Sequence, residues 1–126
     1  MTYIDRLSEL KTAFSRLEEA ISNVKDQLDK DGAIQRFEFV FELLWKTLKD
    51  YAQDKGRLDA NSPKDAFRVA ADLGLIDDLQ IWFEFLNNRN TAAHIYDEDS
   101  ANKIYSNIPN FISSVKTLIN TIENKP

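Results

Sequence analysis

The sequence predicts an all-α fold: an up-and-down bundle of four long helices plus one short helix, forming a single domain over residues 1–126. Three observations point there. Apolar residues recur at alternating spacings of three and four over long stretches, the period of one face of a helix. Only three glycines and three prolines are present, too few for the many tight turns of an all-β fold. A length of 126 residues with 43% hydrophobic and 11% aromatic content makes one substantial core and leaves no room for two.

The first helix opens on Thr2 with Asp5 three residues later, a start signal of the capping-box type. Leu7, Leu10, Phe14, Leu17, Ile21, Val24 and Leu28 then form one seam. Its heptad-like spacing suits a helix packed at a shallow angle in a bundle, and it is too short for a free-standing coiled coil. The connection that follows, QLDKDGAIQRFE, imitates a calcium-binding loop. Asp29, Asp31, Gly32, Ile34 and Glu38 fall at loop positions three, five, six, eight and twelve. The first ligand position is Gln27, so a charged oxygen is missing, and no second loop exists to pair with this one. The segment reads instead as a helix–helix connection in which Asp29 or Asp31 caps the second helix and Gly32 eases the turn.

In GAIQRFEFVFELLWKTLKDYAQDKG, Phe37, Phe39 and Phe41 alternate and briefly imitate a strand. Length decides for a helix: Phe37, Val40, Phe41, Leu44, Leu48 and Tyr51 share one helical face, and Gly56 supplies the stop. Phe39 and Leu43 add a second apolar strip, widened by Trp45. In so small a chain a sector this wide points to a subunit interface, hence a dimer. Ser62-Pro63-Lys64-Asp65 starts the short helix with a serine cap, proline at the first position and an acid in the first turn. Ala66, Val69, Ala70 and Leu73 face inward, and Gly74 ends it.

Asp77 or Asp78 caps the next helix, whose Leu79, Ile81, Trp82, Phe83, Phe85 and Leu86 leave almost no polar face before Asn87. The last helix begins near Asp97 and carries Ile104, Ile108, Phe111, Ile112, Val115, Ile119 and Ile122 on one stripe. Pro109 removes one backbone hydrogen bond and predicts a kink one turn after Tyr105.

Composition excludes several functions. With no cysteine there are no disulfides or thiolate metal sites, and a lone histidine argues against an imidazole metal site, so no metal or cofactor is expected. No apolar run reaches membrane-spanning length, and MTYIDRLSEL lacks the basic and apolar regions of a signal peptide, so the expected location is the cytoplasm. A net charge of −5 and a pI near 4.9 leave no broad basic footprint for nucleic acid. Any RNA contact must be a small, local site.

One such segment exists. NNRNTAAHIYDED gathers Arg89, Asn90, the sole histidine His94 and Tyr96 among weak helix formers. On a regular helix Arg89 and Tyr96 share a face, as do Asn90 and His94, whereas Arg89 and His94 point apart. Their convergence on one phosphate needs a helix break between them, or the same residues from a second subunit. Chemically, a guanidinium holds a phosphate and stabilises a five-coordinate transition state, an imidazole moves a proton near neutral pH, and Asn90 can orient either group or a 2′-hydroxyl. The set suits metal-independent RNA cleavage with the ribose 2′-hydroxyl as nucleophile. A plainer account is a helix C-terminus at which Arg89 and His94 satisfy terminal carbonyls and nearby acids such as Asp97 and Glu98.

Arg89-Asn90 through His94-Ile95-Tyr96 reads R-N-x-x-x-H-x-Y, which resembles the signature of the HEPN superfamily in the form carried by HepT-like toxins. IQRFEFVFELLWKTLKDY, SPKDAFRVAADLGLIDD and NRNTAAH are similar to segments of the nucleotidyltransferase substrate-binding proteins, in the same order and over nearly the whole chain. The resemblance implies a homodimeric helical bundle that forms a complex with a small nucleotidyltransferase as the toxin-like half of a toxin–antitoxin system. It further implies RNA cleavage by Arg89 and His94 with Asn90 orienting, and silencing by AMP attached to Tyr96 by the partner. The same resemblance carries an alternative, a non-catalytic substrate-binding subunit of the transferase. Asp97, Glu98 and Asp99 could meet a basic patch on that partner, although a solvated helix N-terminus accounts for the same cluster.

Overall fold

The computed structural model describes residues 2–94 and 97–125. Five helices follow one another: α1 (Tyr3–Ser22), α2 (Gln27–Asp54), α3 (Pro63–Asp72), α4 (Leu79–Ala92) and α5 (Glu98–Glu123), with no strand among the described residues. Each starts on a short polar side chain that takes up an otherwise unpaired N–H. Thr2 and Asp5 form the expected reciprocal box. Ser62 accepts from the Asp65 N–H with Pro63 behind it. Asp78, not Asp77, accepts from Ile81, and Asp97 accepts from Ser100.

The α1–α2 junction differs from the expectation. α1 stops at Ser22, so the seam does not run on: Val24 lies in the connection and Leu28 belongs to α2, where it is 78% exposed. The cap is Asp26, whose backbone is extended and whose carboxylate accepts from the Asp29 N–H at 2.9 Å. Asp29 is therefore the third residue of the helix and returns an oxygen to the Lys25 N–H at 2.9 Å. The calcium-like segment is helical from Gln27, with Gln27 Nε2 donating to Asp31 Oδ1 across one turn. Helical backbone carries its carboxylates outward and cannot wrap them around a cation.

The expected core positions of α2 are all buried: Phe37, Val40, Phe41, Leu44, Leu48 and Tyr51. The rings join the helices. Phe111 of α5 meets Phe37 edge-on at 4.7 Å and Phe85 of α4 at 5.2 Å, while Phe41 meets Phe67 of α3, which stacks on Trp82 at 5.4 Å. Phe67, Ala101 and Leu118 are core residues that the stripes read from sequence left out. Of the second strip on α2, Leu43 and Trp45 pack against this core, and Phe39 alone stays largely exposed, at 53%. Much of the wide apolar face of α4 is likewise covered within the chain, although Leu79, Ile81, Phe83 and Leu86 are only partly buried. Trp82 and Phe85 are buried, and Lys64 and Arg68 of α3 lie over the Phe83 ring.

Gly56 and Gly74 end α2 and α3 with positive φ, 82° and 76°, a conformation that favours glycine. Past each, an N–H turns back to the helix, Arg57 to Ala52 O and Leu75 to Ala70 O, satisfying terminal carbonyls. α5 stays helical through Pro109, which sits on the exposed side, where the missing backbone hydrogen bond costs least. Among the described residues no helix is long and apolar enough to cross a membrane.

Candidate functional site

The site grows out of the end of α4. Asn87-Asn88-Arg89-Asn90-Thr91 supplies weak helix formers apart from the arginine, and the helix closes at Ala92 with Ala93 as its cap. The His94 N–H bonds to Thr91 O at 2.9 Å, a tightened last turn. The helix therefore ends between Arg89 and His94. Ile95 and Tyr96 lie outside the described residues, so the acceptor role expected of Tyr96 has no structural account here. α5 starts on the Asp97 cap.

Arg89 is half-buried and points back onto α2. Its Nη2 donates to Glu42 Oε2 at 2.8 Å, and the guanidinium lies over the Phe41 ring, 5.6 Å from its centroid. Nη1 donates to the side-chain oxygen of Asn90 at 3.3 Å. The second oxygen of Glu42 is taken by Lys46 Nζ at 3.3 Å, one turn further along α2. One turn earlier stands Glu38. Partial burial pushes its carboxyl above the ordinary carboxylate value, against the pull of the Arg89 charge. Two cations thus share one carboxylate on an otherwise acidic protein.

Two of the four expected site residues, Arg89 and Asn90, are in contact. His94 stands exposed two residues beyond the helix, and its imidazole makes no hydrogen bond or ion pair among the described residues. The plainer account of Arg89 needs correction: its acid is Glu42 of α2, not Asp97 or Glu98. Asp97 is occupied as a cap. Hydrogen bonds from Ser100, its backbone N–H first and its hydroxyl second, hold that carboxyl below the usual carboxylate range. Glu42 and Lys46 escaped the sequence reading, and Glu38 entered it only as a calcium-loop position, because acids and lysines spaced by four look like any solvated helix face. Among the described residues no three His, Asp or Glu side chains are grouped to hold a metal ion.

Fold and site together define a small helical bundle that exposes a histidine close in sequence to an arginine clamped at a helix terminus. The chain belongs to the family described as nucleotidyltransferase substrate binding protein like, which matches residues 5–124. It is similar to a Haemophilus influenzae protein described as a probable ribonuclease HepT, 30% identical over 135 residues, with 94% of this chain and 92% of the relative covered. Two solved structures share the fold. One is from Thermus thermophilus, with a TM-score of 0.82 at 29% identity, covering 88% of this chain and 96% of that one. The other is from Haemophilus influenzae and was described as revealing the fold of a substrate binding domain of a nucleotidyltransferase. It has a TM-score of 0.82 at 30% identity, covering 93% of this chain and 98% of its own. The HepT-like resemblance read from the sequence holds at the level of this family, over the whole fold.

Proposed function

We propose that this chain is a metal-independent ribonuclease of the HepT kind, the toxin-like member of a pair whose other member is a small nucleotidyltransferase. The observation that carries the reading is the end of α4, where Arg89 is held at half-exposure beside Asn90 and His94 stands in solvent just past the helix break. In the reaction an RNA 2′-hydroxyl attacks the adjacent phosphorus, its proton passing to a base. The P–O5′ bond breaks, leaving a 2′,3′-cyclic phosphate and a 5′-hydroxyl that receives a proton. Arg89 balances the charge of the five-coordinate phosphorus, His94 serves as general base or general acid, and Asn90 orients the guanidinium. Small local charge is what such a site needs on a protein of net charge −5.

Tyr96 is the proposed acceptor of AMP from the partner transferase, and a homodimer is the proposed working unit, with Phe39 as an apolar contact on α2. The family's own description and the relative described as a substrate binding domain favour a second reading, in which the chain is a non-catalytic subunit that presents a substrate to the transferase. RNA cleavage by wild type and His94→Ala separates the two. The ribonuclease reading expects activity that the variant loses; equal inertness or equal activity overturns it. Mass spectrometry after incubation with the partner and ATP should find AMP added to Tyr96.

A further inference from the structure

Among the described residues, the hydrogen bonds and ring contact of Arg89, apart from that with Asn90, come from one short stretch of α2. Phe41, fully buried, lies under the guanidinium, and Glu42 takes Nη2 at 2.8 Å. The backbone beneath Glu42 is well fixed, since Phe41 and Leu44 on either side of it are both fully buried. Lys46 Nζ stands 3.3 Å from the other oxygen of the Glu42 carboxylate and favours the same orientation. An arginine near a helix end otherwise samples many rotamers, and a phosphate that must capture it first loses that freedom.

We propose that Glu42 is a positioning residue: its carboxylate, steadied by Lys46, aims the Arg89 guanidinium at the phosphodiester of a bound RNA. The proposal rests on the ribonuclease reading above and adds to it a residue forty-seven positions away from Arg89 in the chain. A carboxylate beside a phosphate-binding arginine repels the phosphate, and a simple neutralising latch would do only that. Here Lys46 offsets the charge of Glu42, so Arg89, Glu42 and Lys46 together keep a net positive charge, against which the Glu38 carboxyl draws from one turn earlier. Glu42 occupies one edge of the guanidinium, and a planar fork held at one edge presents the rest of its donors in a defined direction.

The test compares wild type, Glu42→Ala and Glu42→Gln on a fluorophore-quencher single-stranded RNA oligomer, with His94→Ala alongside. Glu42→Ala should lower kcat by about tenfold to a hundredfold, the scale of a misplaced reacting group, with KM within about threefold of wild type. Glu42→Gln keeps an oxygen for Nη2 and should recover most of that loss. Should Glu42→Ala fold poorly, Lys46→Met provides the check: it loosens the carboxylate and should lower kcat in the same direction, by less. A Glu42→Ala enzyme as fast as wild type, or faster as a latch would make it, overturns the proposal. So does a Glu42→Gln enzyme as slow as Glu42→Ala. If wild type and His94→Ala are equally inert, the ribonuclease reading has failed, and the side-chain Nη–H NMR signal of Arg89, from the group that donates to Glu42, decides the positioning alone. That signal should move away from its native position in Glu42→Ala, with the Phe41 and Asn90 contacts still in place, and stay near it in Glu42→Gln. An unmoved signal in Glu42→Ala refutes the positioning.

Discussion

Replacing Arg89 with alanine tests whether this side chain is there for the fold or for the chemistry. The ion pair to Glu42 is only partly shielded, with the two side chains 33% and 37% exposed. Pairs of that kind contribute roughly 0.2–1 kcal/mol. The contact over Phe41 at 5.6 Å adds about 0.5–1 kcal/mol. Alanine is the better helix former by a few tenths of a kcal/mol, roughly, which offsets part of the loss. The carboxylate left behind is not stranded, because Lys46 still holds it. The expected destabilisation is therefore about 1 kcal/mol, a urea midpoint lowered by less than about 1 M. From a native stability of about 5 kcal/mol or more, such a variant remains about 99.9% folded at 25 °C. A hundredfold fall in RNA cleavage, roughly the loss expected when a charge-stabilising donor goes, cannot then come from unfolding. Urea unfolding followed by circular dichroism and cleavage at 25 °C give both numbers on one preparation. A destabilisation beyond about 3 kcal/mol, or unchanged cleavage, would refute this reasoning.

Phe111→Ala should cost about 3–5 kcal/mol in chemical denaturation, because a fully buried ring that meets Phe37, Phe41 and Phe85 leaves a cavity at the junction of three helices. A loss under about 1 kcal/mol would mean the site collapses freely. Two glycine substitutions should have opposite signs. Gly74→Ala forces a side chain into φ 76° with its Cβ 2.7 Å from Lys125 Nζ, for a loss of about 1–2 kcal/mol. Gly32→Ala sits inside α2 with nothing within 4 Å and should gain about 0.5–1 kcal/mol in the same denaturation assay. Asp97→Ala should lose a helix cap, with a pH signature. Since the folded carboxyl is held below its ordinary 3.8, the stability gap from wild type is fully present above that value. The gap narrows as pH falls through the lowered value, and a gap unchanged under strong acid would show that ionisation of Asp97 contributes nothing.

Much of this architecture is local, and so could be read directly from the sequence. Thr2, Ser62, Asp78 and Asp97 start helices because a short oxygen-bearing side chain meets an N–H three residues on, all within one turn. The same locality explains the buried faces of α2 and α5, where periodicity alone selects Phe37 to Tyr51 and, apart from the partly buried Ile112 and the overlooked Leu118, Ile104 to Ile122. It also explains the error at the first connection. Asp26, Asp29 and Asp31 are each competent caps, and Leu28 keeps the apolar spacing of α1 although the chain has already turned. Choosing among them depended on where α2 packs. The segment from Arg89 to His94 was visible as an odd cluster of residue types, and the helix break within it follows from its poor helix formers. What local rules could not supply was the partner of Arg89. Spacing along α2 marks Glu42 as one of several surface acids, and only the packing of α4 against α2 brings its carboxylate to the guanidinium. Caps and stripes are decided by neighbours a turn away and so are written in the sequence. Which charge meets which depends on how whole helices lie against one another, and that was settled only when the rings of Phe37, Phe85 and Phe111 came together.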